Sequence, residues 1–570
     1  MHTCTLRWST LAAALAGLFV ANQAAAQAPV FSNISPAPHS FKQPVTTPVS
    51  ATLTPAATAS LKVYSSQAGG LRSGATITNN NAISFLPTTP FKAGETLSAT
   101  LTSPNGAKYA WQFTAAVAGG SGRFEAGEAT SINTQLYSQD YLTLVDVDGD
   151  SDLDVLVPYY LNRYALGLLR NDGTGKLAPL VDLNVATQRF RPGDIDGDGD
   201  LDLVYASISN GLGVLRNNGT GTFSLASGTI STSSEVGSLA LGDVDGDGDL
   251  DLVFSEAASK TLQVRLNNGT GSFTGTSQVS ISSNAMRIEL TDLDNDGDLD
   301  ALTGYGGTAT GPLNIRLNNG QGQFSGTTEL PVGGYRGTIG LADFDDDGDV
   351  DIAVPLFQPD GKLSLWRNNG NGTFVKGPDL LIGNGPQVVE IGDVDGDKDL
   401  DIITDARGNS SSINTINLNL NDGTGNFVRQ ADISTSPIPL DLTLGDMDND
   451  GDLDVVVYSL SGSSNNPMGQ ITVHRNAATI LATAQTSLKV PTVGAWPNPL
   501  EHGAELHFEI PTEANGGKAT LYSALGRLER ELTFQGQTSM LPTAGLAPGI
   551  YLLTVTPTGQ RSITKRVMLH

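Results

Sequence analysis

Apolar and polar residues alternate over short runs in this chain, as in Ser60-Leu61-Lys62-Val63-Tyr64 and Leu201-Asp202-Leu203-Val204, a pattern that predicts half-buried strands. Between residues 120 and 478 the runs recur with a period near fifty. Each unit reads apolar strand, acidic loop, apolar strand, a third strand ending in an Asn pair, then a Gly turn and an aromatic residue. The third-strand phrase Leu215-Arg216-Asn217-Asn218-Gly219-Thr220-Gly221-Thr222-Phe223 returns around Asn268-Gly269, Asn319-Gly320, Asn369-Gly370 and Asp422-Gly423. Asn-Gly and Asp-Gly are hairpin turns, so a fourth strand is expected to start at Phe223, Phe273, Phe324, Phe374 or Phe427. The Asn pairs read as turn residues rather than ligands. Four strands per unit predict one propeller blade per unit. The seventh unit stops at Val473-His474-Arg475-Asn476 without its fourth strand, and an unpaired Gly122-Arg123-Phe124 precedes the first acidic loop. A strand near Phe124 is therefore expected to complete the seventh blade and close the ring.

The acidic loop is a nine-residue phrase with aspartate at positions 1, 3, 5, 7 and 9. Its first three copies hold Asp146, Asp148, Asp150, Asp152 and Asp154; Asp194, Asp196, Asp198, Asp200 and Asp202; and Asp243, Asp245, Asp247, Asp249 and Asp251. The fourth and fifth hold Asp292, Asp294, Asp296, Asp298 and Asp300, then Asp343, Asp345, Asp347, Asp349 and Asp351. The last two hold Asp393, Asp395, Asp397, Asp399 and Asp401, then Asp446, Asp448, Asp450, Asp452 and Asp454. Alternate carboxylates in a tight turn are hard oxygen ligands suited to Ca²⁺, up to seven ions, one per blade. The expected donors are the side chains of positions 1, 3, 5 and 9 and the carbonyl of position 7. No His or Cys accompanies the acids, which argues against zinc, and Mg²⁺ prefers fewer protein ligands in rigid octahedral geometry. An EF-hand would need Glu at position 12, where Val157, Tyr205, Phe254 and Val457 stand. Position 6 is Gly in five copies, where the turn calls for positive φ, but Ser151 and Lys398 occupy it in the first and sixth. Those two loops are expected to bind more weakly.

Charge supports this reading. The five aspartate positions of the seven loops account for 35 of the 59 acidic residues, so the net charge of −27 reports the loops rather than a taste for basic partners. Residues 1–26 carry Arg7, an apolar run Leu11–Val20 and Ala24-Ala25-Ala26, and read as a secretory signal too short to span a membrane. The only cysteine, Cys4, lies within it, so the mature chain is expected to lack thiols and to rely on cations as staples.

The two ends have their own character. Residues 29–117, with Ile83-Ser84-Phe85-Leu86-Pro87, Phe91-Lys92-Ala93-Gly94-Glu95 and Trp111-Gln112-Phe113, resemble bacterial Ig-like domains, which implies a β-sandwich. Gly119-Gly120-Ser121-Gly122 reads as a hinge. The array 120–478 resembles the FG-GAP and VCBS-type repeats of integrin-like propellers. That resemblance implies structural calcium on the blade hairpins and a role in adhesion or recognition. After a linker over 479–493, residues 494–570 carry Trp496-Pro497-Asn498-Pro499, Leu525-Gly526-Arg527, Ala547-Pro548-Gly549-Ile550-Tyr551 and Lys565-Arg566-Val567. They resemble the type IX secretion sorting domain, which implies contact with that export machinery and delivery to the cell surface or the medium.

The fold class expected is thus all-β, a seven-bladed propeller between two sandwiches. No G-x-S-x-G, H-E-x-x-H or Walker phrase is present, and no basic patch points to nucleic acid. Of the histidines only His474 falls in the array, at a strand end expected to be surface. Glu256, Glu289, Glu329 and Glu390 lie outside the loops with no spacing that pairs any two. The functional expectation is a secreted, monomeric calcium propeller that binds an extracellular protein or glycan, with no membrane span. A polysaccharide lyase or glycoside hydrolase on the same scaffold, and a structural surface tile, are the alternatives.

Overall fold

The computed structural model describes residues 30–569 apart from short internal stretches, the longest being 133–141, 407–414 and 478–493. The expected signal segment 1–26 and linker 479–493 lie outside the described residues. Every regular element among those described is a β-strand, and no helix is long and apolar enough to cross a membrane. The chain divides into two compact units, Met1–Thr479 and Ile480–His570.

The larger unit holds seven repeat sheets in chain order, each a path of four paired strands. The second is representative, with strands Thr187–Gly193, Asp202–Ser207, Leu212–Arg216 and Ser224–Leu225 joined antiparallel in sequence. In the fifth and sixth sheets the outer strand is broken in two, Phe374–Lys376 with Leu380–Leu381 and Phe427–Arg429 with Ile433–Ser434, each half pairing the same third strand. The seventh sheet takes its outer strand from the other end of the array. Phe124–Ser131 pairs Asn466–Asn476, with Phe124 opposite Asn476 and Ser131 opposite Gln470.

Strand alternation here serves two cores rather than one core and solvent. In Asp154–Tyr160, Val155 and Val157 enter a cluster shared with Val456, Tyr458 and Ile471 of the seventh sheet. Leu156 between them packs with Phe190, Leu203 and Leu215 of the second. The same division puts Leu252 and Val253 in different clusters, and likewise Ile402 and Ile403. Each consecutive pair of sheets thus shares one aliphatic core, and the seventh shares one with the first. Near-continuous apolar runs are what burial on both faces requires.

A polar clasp repeats at each joint. The first Asn of each pair is buried and donates its side-chain N–H to a loop carbonyl of the preceding sheet: Asn217 to Val147, Asn267 to Ile195, Asn318 to Val244, Asn368 to Leu293, Asn421 to Phe344 and Asn476 to Val394, all at 2.7–3.0 Å. Asn171 closes the succession by donating to Met447 of the seventh sheet at 2.8 Å. The second residue of the pair keeps the expected turn role, as Asn218 accepts from Thr220 N and Oγ1.

Two further sheets, Val30–Ser35 to Gly74–Asn79 and Gly70–Leu71 to Lys108–Thr114, enclose Leu97, Leu101, Trp111 and Phe113 in an N-terminal sandwich of eight strands. It does not stand apart as a spacer. It sits on the acidic loops: Gln67 O accepts from Asp146 N, Lys62 Nζ reaches Gly248 O and Asp249, Ala110 N donates to Gly297 O, and Lys42 pairs with Asp346. The stretch read as a hinge is tied down as well, with Gly122 N on Val394 O and Ser121 N on Asn476 Oδ1, because the strand it feeds must reach the seventh sheet. The smaller unit is a sandwich of a three- and a four-stranded sheet around Leu506, Phe508, Leu521, Leu553 and Val567.

The clasp makes a quantitative demand. Replacing Asn267 by Ala strands the Ile195 and Leu250 carbonyls it caps. It should cost about 1–3 kcal/mol in chemical denaturation, whereas Asn268→Ala in the exposed turn should cost less than half as much.

Candidate metal centres

The loops share one hydrogen-bond plan. Position 1 accepts through Oδ2 from the backbone N–H of position 6 in all seven, from Ser151 to Asp146 at 3.0 Å through Gly451 to Asp446 at 3.2 Å. Position 5 accepts through Oδ1 from the N–H of position 7, at 2.9–3.2 Å. Position 9 accepts through Oδ1 from the N–H of the clasp Asn, as Asp251 does from Asn267 at 2.8 Å. Position 6 has positive φ throughout, including Ser151 at 74° and Lys398 at 76°. Position 4 is left-handed too, and there the sequence offers only Gly, Asn or Asp, with Asn295 at 62° and Asp346 at 61°. These are the residue types that tolerate such backbone best, a signal the sequence reading passed over.

Position 7 is turned aside. Its carboxylate lies against the glycine of the Asn-Gly turn: a Cβ on Gly219 would sit 2.7 Å from Asp200 Oδ1, and one on Gly320 would sit 2.6 Å from Asp298. The glycine is needed both for its φ near +70° and for this approach. The side chains of Asp152, Asp200, Asp249, Asp298, Asp349 and Asp399 all lie against such a turn glycine.

Carboxylate oxygens of the remaining positions converge. Asp146, Asp148 and Asp150 bring one oxygen each within 4.8 Å of one another, as do Asp194, Asp196 and Asp198, and Asp343, Asp345 and Asp347. In the third and fourth loops the gathered set is instead positions 1, 3 and 9: Asp243, Asp245 and Asp251, then Asp292, Asp294 and Asp300. Asp243 Oδ1, Asp292 Oδ1, Asp294 Oδ1 and Asp446 Oδ1 are buried without a hydrogen-bond partner, as is Oδ1 of Asp148, Asp196, Asp345 and Asp448 at position 3. Several close, desolvated anionic oxygens with no donor are a poor arrangement for an ion-free loop and suit a hard cation. The residues present fit a divalent metal ion.

Burial dominates the titration of these groups. It pushes Asp251, Asp300 and Asp401 up to about 8, and Asp154, Asp202 and Asp454 to about 7. Neighbouring aspartates add to the rise, while the clasp Asn N–H works against it. Tyr64, set on the third loop, is raised well above its usual range by burial and then by Asp249.

Other acids fall elsewhere. Glu289 and Glu390, unpaired by sequence, line one cavity of about 370 Å³ between the sandwich and the inner strands, beside His39, Thr291 and Thr443. Burial, then Asp441 and Glu289, push Glu390 up to about 8. Glu256 accepts instead from Ser233 N and Oγ, at 2.6 and 2.5 Å, and Glu329 stands opposite Asn314 on an outer strand. His474 is 3% exposed, not at the surface, because the completing strand covers it; burial holds its imidazole below the usual value.

Comparison with known families agrees with the repeat pattern. Residues 194–254, 254–303, 343–404 and 406–457 match the FG-GAP-like repeat. The chain carries four FG-GAP-like repeats. They contain the second to seventh acidic loops, and the first, at 146–154, lies outside them. Residues 494–570 match the secretion system C-terminal sorting domain, which directs the chain by type IX secretion to the cell surface or extracellular space. No curated protein matches the chain. Among solved structures it is similar to an Agrocybe aegerita lectin that recognises non-reducing terminal N-acetylglucosamine (18% identity, 67% of this chain and 91% of that one, TM-score 0.38). It is also similar to a fungal alcohol oxidase in complex with copper (14%, 78% and 99%, 0.42) and an auxiliary nutrient binding protein from Bacteroides ovatus (11%, 79% and 99%, 0.32).

The raised carboxylates fix a pH dependence. Their folded values lie above the unfolded value near 4, so in chelator the folded chain holds more protons than the unfolded one between about pH 4 and 8, and stability falls as pH rises through that window. The melting temperature in EDTA should therefore be higher at pH 5 than at pH 8; a rise over that interval contradicts the assignment.

Proposed function

We propose that this is a secreted recognition module: a seven-bladed, calcium-stabilised β-propeller, with an Ig-like sandwich seated on its loop face and a sorting domain for export. The observation that carries the reading is the seven-fold Asn clasp, which runs from each sheet to the one before and returns from the first to the seventh. A succession that returns on itself leaves no terminal sheet face to cover.

Calcium would be held by positions 1, 3, 5 and 9 of each loop and the carbonyl of position 7. It would neutralise carboxylates that repel one another and set the hairpin that the clasp grips. Cation binding that favours the folded state stabilises it by mass action. Since the sandwich packs on the acidic loops, ligand contact falls away from that face. In this reading the chain acts as a monomer. The carboxylates Glu289 and Glu390 in one cavity favour a second reading, an extracellular glycan lyase or hydrolase.

Two measurements decide. Adding excess calcium after EDTA should raise the melting temperature by ten degrees or more, on the order of several kcal/mol spread over seven sites; an unchanged melt refutes the staple. On a glycan array the calcium-loaded chain should bind without releasing reducing sugar. Turnover abolished by Glu390→Gln would establish the second reading instead.

A further inference from the structure

The residue just before the clasp Asn divides the loops into two kinds. It is Arg170, Arg216, Arg367 and Arg475 in the first, second, fifth and seventh repeats, and Leu266, Leu317 and Leu420 in the third, fourth and sixth. Each arginine turns back onto the acidic loop of its own sheet. Arg216 Nη1 lies 2.5 Å from Asp196 Oδ2 and 2.7 Å from Asp202 Oδ2, bridging positions 3 and 9. Arg367 spans Asp345 and Asp351 in the same way, with 3.6 Å to the former. Arg170 pairs with Asp148, and Arg475 Nε lies 3.6 Å from Asp448 Oδ2.

All four arginines hold position 3, and two of them, Arg216 and Arg367, take an oxygen of position 9 as well. The second oxygen of position 9 accepts from the backbone N–H of position 2 in the leucine loops, Val244 to Asp251 at 3.1 Å, Leu293 to Asp300 and Val394 to Asp401 at 3.0 Å, and also in the first and seventh loops, Val147 to Asp154 at 3.4 Å and Met447 to Asp454 at 3.0 Å. In the third and fourth loops this carboxylate also belongs to the convergent set, whereas in the first, second and fifth that set is positions 1, 3 and 5. Asp292, 2% exposed, holds a buried oxygen without a hydrogen-bond partner in the fourth loop, and buried unpartnered oxygens of Asp196 and Asp448 show that the arginine loops also have room for a cation. Sandwich lysines narrow the contrast in the third loop and leave it sharpest in the fourth. Lys108 stands 3.6 Å from Asp245 and Lys62 2.8 Å from Asp249 in the third loop, and Lys42 3.9 Å from Asp399 in the sixth, while among the described residues no cationic side chain comes within 4 Å of an aspartate of the fourth.

We propose that this one residue sets each loop's affinity for a divalent cation, so that the leucine loops fill first and the arginine loops, which carry a resident guanidinium, fill last. The charge count of a site tunes its hold on calcium, and a fixed guanidinium repels a second cation at a separation where water screens poorly. The same guanidinium neutralises part of its loop while the ion is away, so four of the seven joints stay set when calcium is scarce. The proposal rests on calcium occupying the loops at all.

Isothermal titration of the calcium-stripped full chain with CaCl₂ tests it. The isotherm should show two stages, three ions in the tight one, the sixth loop among them in place of the weaker binding expected from Lys398 at its position 6. Arg216→Leu, and Arg216→Gln as a variant that keeps chain length, should move one ion from the weak to the tight class, with the second loop's Kd falling on the order of tenfold or more. Leu317→Arg should remove one tight ion, and melts in EDTA verify that each variant is folded. Seven equivalent sites, or arginine variants that bind more weakly, would overturn the proposal while leaving calcium in the loops. A wild-type chain that takes up no calcium would instead sink the reading beneath it.

Discussion

One buried carboxylate at the ninth position of each loop governs how the array holds together. It enters the second strand fully buried, takes the N–H of the clasp Asn on one oxygen, and ties either a backbone N–H or an arginine on the other. The Asn so fixed reaches the neighbouring sheet. An anion removed from water needs such partners, and the partners it recruits are those that join sheet to sheet. Loop, strand and inter-sheet joint are therefore one polar unit, repeated seven times.

Around that unit the apolar packing is simple. Strands buried on both faces share residues between two neighbouring cores, so no sheet has a core of its own. A lost joint is felt on both sides. The N-terminal sandwich adds a lid that donates to loop carbonyls at Gly246, Gly248 and Gly297. Those bonds depend on loops already folded to present their carbonyls, which links the order of the lid to whatever sets the loops.

Much of this was legible in the residues. The fixed period, the alternating runs and the stray Phe124 strand follow from hydrophobic pattern and hairpin chemistry, and the observed outer strands begin within one residue of the expected Phe223, Phe273, Phe324, Phe374 and Phe427. The acidic spacing marked the loops. What stayed hidden was long-range. Asn217 and Asn218 look alike in sequence, yet one is a buried joint and the other an exposed turn, because only the packing of the neighbouring sheet distinguishes them. Lys42, Lys62 and Lys92 gave no sign that their sandwich would land on loops hundreds of residues away. Glu289 and Glu390 line one cavity for the same reason, since the first strands of the fourth and sixth sheets border a common space only in the folded array.

Calcium as the counter-charge for the loops is the central claim. The most direct measurement is anomalous diffraction, at a wavelength where calcium scatters, from crystals of the chain grown in millimolar calcium. The account predicts peaks inside the acidic loops, each coordinated by carboxylates of positions 1, 3, 5 and 9, strongest where leucine precedes the clasp Asn. Loops with intact geometry and no anomalous density would contradict it.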